Sequence, residues 1–344
     1  MTTVYDVARA AGVSTATVSR VMRGSDLVHP ETRQQVLAVI EELGFVPDAS
    51  AQGLSRRRKD IIGFVTLERG IDEIDIEQTG LLFVDQIVHA VERVLRGVGC
   101  SLLLSFGNHG EPLEQRLRSL SGRVDGLLVA EEVIPADRLR VLARRIPLVV
   151  IAGSHDEREL DVVAVDNVGG IRSLTSHLTR AHGHRRFGFV GGPPDAPDAR
   201  NRLAVFEKAV RGTAGCVLEQ VVEGDFSEAS GSSAARVLLS RPELPDAVAC
   251  ANDQMAIGVL REFRRAAVNV PGDVAVTGFD DVYPSRVVDP PLTTVSQPLR
   301  DLGTRAAERL LMRIGDRALP ACVEVLDTNV IIRTSCGCSS FGTR

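Results

Sequence analysis

The sequence predicts an α/β protein with a helix-turn-helix headpiece and two doubly wound parallel sheets, and three observations lead there. Residues 2–44 hold three short amphipathic segments separated by helix stops. From Ile61 on, short continuous apolar runs alternate with stretches of helical periodicity, the pattern of parallel strands covered on both faces. The 344 residues are 44% hydrophobic and 25% charged, a globular composition long enough for two or three units.

The first helix opens at Thr3, which with Asp6 fits a capping box, and carries Val4, Val7, Ala8 and Ala11 on one face. Gly12 takes the tight turn, Ser14 caps the second helix, and that helix ends near Gly24. Within it Val13, Val18, Val21 and Met22 form the apolar side, leaving Thr15, Ala16, Ser19 and Arg20 outward. A third helix starts after "HPETR", where Pro30 suits the first turn, with Val36, Val39, Ile40 and Leu43 as its stripe. Two short helices joined at a glycine with a third across them make a helix-turn-helix unit, whose second helix lies in the DNA major groove. Small outward side chains let that backbone approach the bases, and Arg20 is long enough to donate twice to a guanine. An ordinary helical bundle with a solvated arginine would share the pattern.

After the third helix, Pro47 breaks the chain and "DASAQGLSRRRKD" follows. A short helix there, capped by Asp48 and containing Gly53, is marginal alone in water. Leu54 beside Arg56, Arg57, Arg58 and Lys59 fits a segment that forms on DNA, the leucine wedging into the minor groove and the cations meeting phosphates. A basic interdomain linker is the plainer reading.

Charge follows the same division. Residues 1–59 carry eight cations and six anions, net +2, so within the total of −5 the remainder carries −7. That asymmetry points to nucleic acid at the N-terminal end only. The opening "MTTVYDVARAAG" has no basic start before an apolar run, and runs such as "PLVVIA" are too short to span a bilayer, so neither a secretory signal nor a membrane partner is expected. The six cysteines read as reduced thiols; Cys336-Gly-Cys338 lacks a second Cys/His pair at ligand spacing, so no metal is expected.

The strands expected in the larger part are "IIGFVTL", "CSLLLSF", "GLLVA", "PLVVIA", "VVAVD", "RFGFVGG", "AVACAN" and "VAVTGFD", with helices such as "VDQIVHAVERVLRGVG" and "ARNRLAVFEKAVRG" between them. In doubly wound sheets ligands bind beyond the carboxyl ends of strands. There stand Asp166-Asn167, Asn252-Asp253 and Asp280-Asp281, with Arg200 after "FVGGP", groups able to pair with a polyhydroxylated ligand. Asp166 and Asp281 read equally well as caps of the following helices.

The stretch "TTVYDVARAAGVSTATVSRVMRG…VHPETRQQVLAVIEELGFVPDASAQGL" resembles the DNA-binding headpiece of the lactose-repressor (LacI/GalR) family of bacterial transcription regulators. "HLTRAHGHRRFGFVGGP", "CANDQMAIGVL", "VPGDVAVTGFDD" and "PPLTTVSQPLRDLG" are similar to that family's effector-domain motifs. The resemblance implies a helix-turn-helix domain over 1–47, a hinge over 48–59 and a periplasmic-binding-protein-like effector and dimerisation domain over 60–344. Its N-subdomain would take about 60–163 and 292–320, and its C-subdomain about 164–291 and 321–336, linked by three crossings. Thr15, Ala16 and Arg20 would read bases, Leu54 would be the hinge wedge, and Arg200, Asn252 and Asp280 would contact effector, with Phe226 packing on a sugar ring. Asp48 and Gln52 depart from the family's hinge, Ala130 and Ala152 replace polar strand-end residues, and "ERGIDEIDIEQTG" looks inserted.

The function implied is a cytoplasmic, nucleoid-associated repressor that binds a palindromic operator as a homodimer under the control of a small, sugar-like effector, with no cofactor. No heptad helix follows "NVIIRTSCGCSS", so a dimer rather than a coiled-coil tetramer is expected. A solute-binding protein would share the larger domain without the headpiece. An enzyme is not expected, because no Gly-x-Ser-x-Gly elbow, P-loop or His-x-x-x-His zinc pattern is present, and "SHLTRAHGH" reads as a helix ending in a glycine turn.

Overall fold

The computed structural model describes residues 2–22, 25, 27–45, 58–67, 81–107, 113–130, 134–152 and 159–339. It divides into a unit spanning Met1–Lys59 and a unit spanning Asp60–Arg344.

The first unit holds α1 (Val4–Ala10), α2 (Thr15–Met22) and α3 (Pro30–Glu42). The capping box closes with both bonds: Thr3 N–H donates to Asp6 at 2.9 Å and Asp6 N–H to Thr3 Oγ1 at 3.4 Å. Gly12 turns the chain at φ 62°, and Ser14 Oγ accepts from Thr17 N–H at 3.1 Å to start α2. Val7, Ala8, Ala11, Val18, Val21, Val28 and Val36 are buried together, with Val4, Val13, Met22, Val39 and Ile40 against them. Leu43, expected on the stripe of α3, lies past the end of that helix and is exposed. Gln35 donates to Ala11 O at 3.2 Å and so ties α3 to the turn.

In the second unit β1 (Ile61–Leu67), α4 (Leu81–Gly97), β2 (Ser101–Gly107), α5 (Leu113–Ser121), β3 (Gly126–Ala130), α6 (Ala136–Ala143), β4 (Leu148–Ile151) and β5 (Asp161–Val165) alternate in order. Then come α7 (Asn167–Arg180), β6 (Arg186–Gly191), α8 (Pro197–Arg211), β7 (Val217–Glu223), α9 (Glu228–Leu239), β8 (Ala247–Cys250), α10 (Asp253–Arg265) and β9 (Ala275–Thr277). The chain closes with α11 (Pro284–Val287), β10 (Thr294–Ser296), α12 (Leu299–Gly315), β11 (Val323–Leu326) and β12 (Asn329–Ile331). The first sheet is parallel in the order β11-β5-β4-β3-β1-β2, and the second in the order β7-β6-β8-β9. Both faces are covered. Ile62, Phe64, Leu128 and Val149 meet α4 and α12 on one side, while Val65, Leu127, Val129 and Val150 meet α5 and α6 on the other.

All eight expected strands form. β7 joins them as a half-exposed edge strand, and β10 and β12 pair as a separate antiparallel ribbon. One boundary is corrected. Residues 321–326 were expected in the C-subdomain, but β11 pairs with β5 in the first sheet, so the last crossing falls between Leu326 and Asn329. The three crossings pass close to the start of α7, where a Cβ on Gly170 would stand 2.6 Å from Thr328 Oγ1 and 2.7 Å from Val295 Cγ1. No helix among the described residues is long and apolar enough to cross a membrane.

Candidate nucleic-acid interface and effector site

On α2, Val18 and Val21 turn into the core while Ala16 and Arg20, one helical turn apart, are exposed on one face. Thr15 and Ser19 flank that face half-buried. The result is a smooth strip ending in one long cation, a shape that fits against base edges. Tyr5 was not singled out in the sequence, yet its ring is 72% exposed on α1, off the Val4, Val7, Ala8 face. The signal was an aromatic residue outside the apolar stripe. Leu54, Arg56 and Arg57, with Asp48, Gln52 and the acidic stretch 68–80, lie outside the described residues.

In the second unit the polar strand-end residues gather past the carboxyl ends of the second sheet. Asp280 follows β9, is 5% exposed, and accepts from the Gln297 side chain, while its own N–H donates to Val295 O at 2.8 Å. Asn252 follows β8 and uses both polar atoms to build the site: Oδ1 caps α10 through Met255 N–H at 3.0 Å, and Nδ2 donates to Phe226 O at 2.9 Å. Phe226 follows β7, and its ring occupies the space in front of Gly192, where a Cβ would fall 2.4 Å from it. Ala152, Phe226 and Asp280 all hold positive φ, at 58°, 73° and 120°. Non-glycine residues rarely adopt such angles, and where they do the surrounding structure enforces a set direction on the side chain.

Arg200 does not join this group. Its side chain is exposed and donates to Pro194 O at 2.9 Å. The guanidinium in the cluster belongs to Arg202, because two residues along a helix are turned by about 200°. Arg202 is 3% exposed, donates to Asn167 Oδ1 at 2.8 Å and Ala251 O at 2.7 Å, and lies 3.7 Å from both Asp198 and Asp280. Its guanidinium carbon stands 3.8 Å above the Phe279 ring. Asp166 caps α7 by accepting from Gly169 N–H at 2.8 Å, whereas Asp281 caps nothing and pairs with Arg286 and Arg333.

The electrostatics are those of carboxylates crowded out of water. Burial and the neighbouring Asp280 push the Asp253 carboxyl well up; it is held by the Thr294 hydroxyl and Val282 N–H. Burial raises Asp280 to about 7, against the pull of Arg202 and Gln297. Gln297 Oε1 is buried without a hydrogen-bond partner, an acceptor beside Asp280 that a ligand hydroxyl would satisfy.

A helix-turn-helix reading head joined to a doubly wound domain with a polar cluster at its strand ends defines a class of DNA-binding transcription regulators. Residues 3–48 match the model for bacterial regulatory proteins of the lacI family, and residues 175–336 match a periplasmic binding protein-like domain. The chain is 33% identical over 342 residues to the transcriptional repressor PurR of Photobacterium profundum, covering 97% of this chain and 98% of that one. It is 35% identical to the regulator CelR of Thermobifida fusca, covering 96% of each. The lac repressor dimer bound to operator and the anti-inducer ONPF superposes with a TM-score of 0.85 at 28% identity, covering 97% of this chain and 99% of that one. A CelR–cellobiose complex matches with a TM-score of 0.71 at 34% identity, covering 97% and 100%. The chain belongs to the lacI family: it is a transcriptional regulator, not an enzyme.

Proposed function

We propose that this protein is a cytoplasmic, nucleoid-associated repressor that binds a near-palindromic operator as a homodimer and responds to a small polyhydroxylated effector. The observation that carries the DNA half is the exposed Ala16–Arg20 strip on α2. Thr15, Ala16, Ser19 and Arg20 read the major groove. Leu54, Arg56 and Arg57 serve the hinge, and the Tyr5 hydroxyl meets a phosphate as the first helix crosses the backbone. Mapping the bound genomic sites tests the reading directly. A set of sites sharing an inverted repeat is expected, and binding without sequence preference would refute it.

The effector half rests on Arg202, Asp280, Gln297 and Phe226, with Asn252 and Asn167 positioning them. Charged and amide groups take hydroxyls while the Phe226 ring covers an apolar face, as suits a sugar. A cellobiose complex of one relative and an anti-inducer complex of another support a carbohydrate-like ligand. A thermal-shift screen of mono- and disaccharides, with cellobiose included, is the direct search.

The buried carboxyl gives a pH signature. A folded pKa of about 7 against an ordinary value of 3.8 means the folded state keeps a proton that the unfolded chain releases. That proton adds stability as pH falls through 7; the gain is complete, and no longer changes with pH, once the unfolded carboxyl is also protonated. On acidification from about pH 8 to about pH 5 the parent is expected to gain urea resistance relative to Asp280→Asn. Parallel pH profiles for the two proteins would show that Asp280 titrates normally.

For the dimer, Tyr283 and Val287 stand at i and i+4 around α11, 70% and 63% exposed, and the edge strand β2 shows Leu103 and Leu104. Exposed apolar side chains at two separate places, on α11 and on the edge strand β2, each fit a self-complementary contact. Val287→Asp is expected to shift sedimentation toward monomer and, with it, to lower operator affinity by an order of magnitude or more. An unchanged sedimentation profile would place the contact elsewhere.

A further inference from the structure

The C-terminal end of α7 and the last described turn of the chain bring together two histidines and two cysteines that the regulator reading does not use. His177 Nε2 lies 3.4 Å from Cys336 Sγ and 3.2 Å from His182 Nε2. Cys338 Sγ lies 3.8 Å from His177 Nε2 and 3.4 Å from His182 Nε2. All four donor atoms fall within 4.8 Å of one another. We propose that His177, His182, Cys336 and Cys338 form a structural zinc site that fastens the C-terminal segment to the end of α7.

The geometry fits a tetrahedral ion. Bonds of about 2.0–2.1 Å to nitrogen and about 2.3 Å to sulfur place neighbouring donors roughly 3.3–3.8 Å apart; three of the four separations above lie in that range and the His177–His182 pair, at 3.2 Å, falls just short of it. The two rings are nearly perpendicular, at 81° with centroids 4.8 Å apart, so their Nε2 atoms converge on one point without stacking. His184 lies parallel to the His182 ring at 5.5 Å and fixes its plane. Gly337, at φ 103°, turns the chain so that both flanking sulfurs reach the same side; a Cβ there would stand 3.2 Å from His182 Nδ1. Two sulfurs and two imidazoles select zinc over harder cations.

The surroundings suit a cation as well. The ligands sit at the carbonyl end of a 14-residue helix, whose dipole favours positive charge. Cys336 Sγ is also held by the Thr293 hydroxyl, which donates to it at 3.1 Å, so one ligand is positioned by the core. The two histidines and Cys338 meet it and one another through one imidazole–imidazole contact and weak thiol contacts. Binding exchanges two thiol protons, released to solvent, for one Zn²⁺, leaving a neutral site of two thiolates and two imidazoles. An open cleft lined by Arg172, Ser176, His177 and Arg180 reaches one of the four ligands, His177.

The staple reinforces a segment that already braces the strand ends. Arg333 pairs with Asp281 and donates to Leu292 O at 2.7 Å, and Ser335 Oγ donates to Val276 O at 2.6 Å in β9. α7 itself runs about 15 Å from His177 back to Asn167 beside Arg202.

The test uses the full chain purified under reductant without metal-affinity chromatography. Elemental analysis after gel filtration is expected to find one zinc per chain. Cobalt substitution is expected to give tetrahedral d–d bands with a thiolate-to-metal band, and a chelator to lower Tm by roughly 5–10 °C while exposing two thiols to titration. Cys338→Ser and His182→Asn, both at half-buried positions, should remain folded by circular dichroism and lose the metal and the cobalt spectrum. Retention below about a tenth of an equivalent with excess zinc, octahedral cobalt without a thiolate band, a Cys336–Cys338 disulfide formed under reductant, or variants that bind zinc like the parent would each overturn the site.

Discussion

Arg202→Ala is expected to abolish the effector response and to destabilise the larger domain by about 3–5 kcal/mol, whereas Arg200→Ala leaves stability within about 0.5 kcal/mol and the response intact. The contrast follows from burial. Removing the Arg202 guanidinium strips Asp280 and the part-exposed Asp198 of a close cation and leaves Asn167 Oδ1 and Ala251 O without their donor; Asp280, Asn167 and Ala251 have almost no water contact. The Phe279 ring loses its cation at the same time. Arg200 gives up one exposed bond to a loop carbonyl. Urea unfolding separates the stabilities, and operator binding with and without the ligand found by screening separates the responses. A response lost in Arg200→Ala and kept in Arg202→Ala would reverse the assignment. Phe226→Ala is expected to weaken the response less than either Arg202→Ala or Asp280→Ala, since it removes contact area and no charge.

Arg20→Ala is expected to lose roughly 1–3 kcal/mol per half-site, so a dimer loses about twice that, and to relax preference at one guanine in each half-site. The exposed Ala16 one turn earlier keeps the helix backbone near the bases, so Arg20 is the long donor on that strip. Salt dependence distinguishes a base contact from a phosphate contact. If Arg20 reads a base, the slope of log K against log salt is nearly unchanged; if it meets a phosphate, the slope falls by about 1 and every sequence weakens alike.

The inner strands with continuous apolar runs were legible in the sequence because both of their faces are buried, which removes polar residues from them, while the edge strand β2 keeps its apolar run with Leu103 and Leu104 exposed. β7 was not, since Glu219 and Gln220 interrupt it at a half-exposed sheet edge. β10, β11 and β12 span only three or four residues each, and their pairing is set by the crossings rather than by any local pattern. Arg202 was within reach of a stricter reading: Ala199, Arg202, Phe206 and Val210 fall on one buried stripe of α8, and a cation standing on an apolar stripe marks a polar pocket beneath. The pairing of His177 and His182 with Cys336 and Cys338 had no local signature, because the fold alone closes that distance.

The residues gathered around Arg202 come from separate places in the chain: β7, β8 and β9 each end in one, while the strands behind them are packed shut. Such an arrangement separates what may vary from what must not. A substitution at the tip of one strand alters a single point of contact and leaves the layers beneath it undisturbed, so changes can accumulate one at a time, each tried against a stable scaffold. The same architecture can in this way be re-addressed to a new metabolite over a lineage, while the reading head, held in its own independent core, keeps or changes its genomic address on a separate schedule.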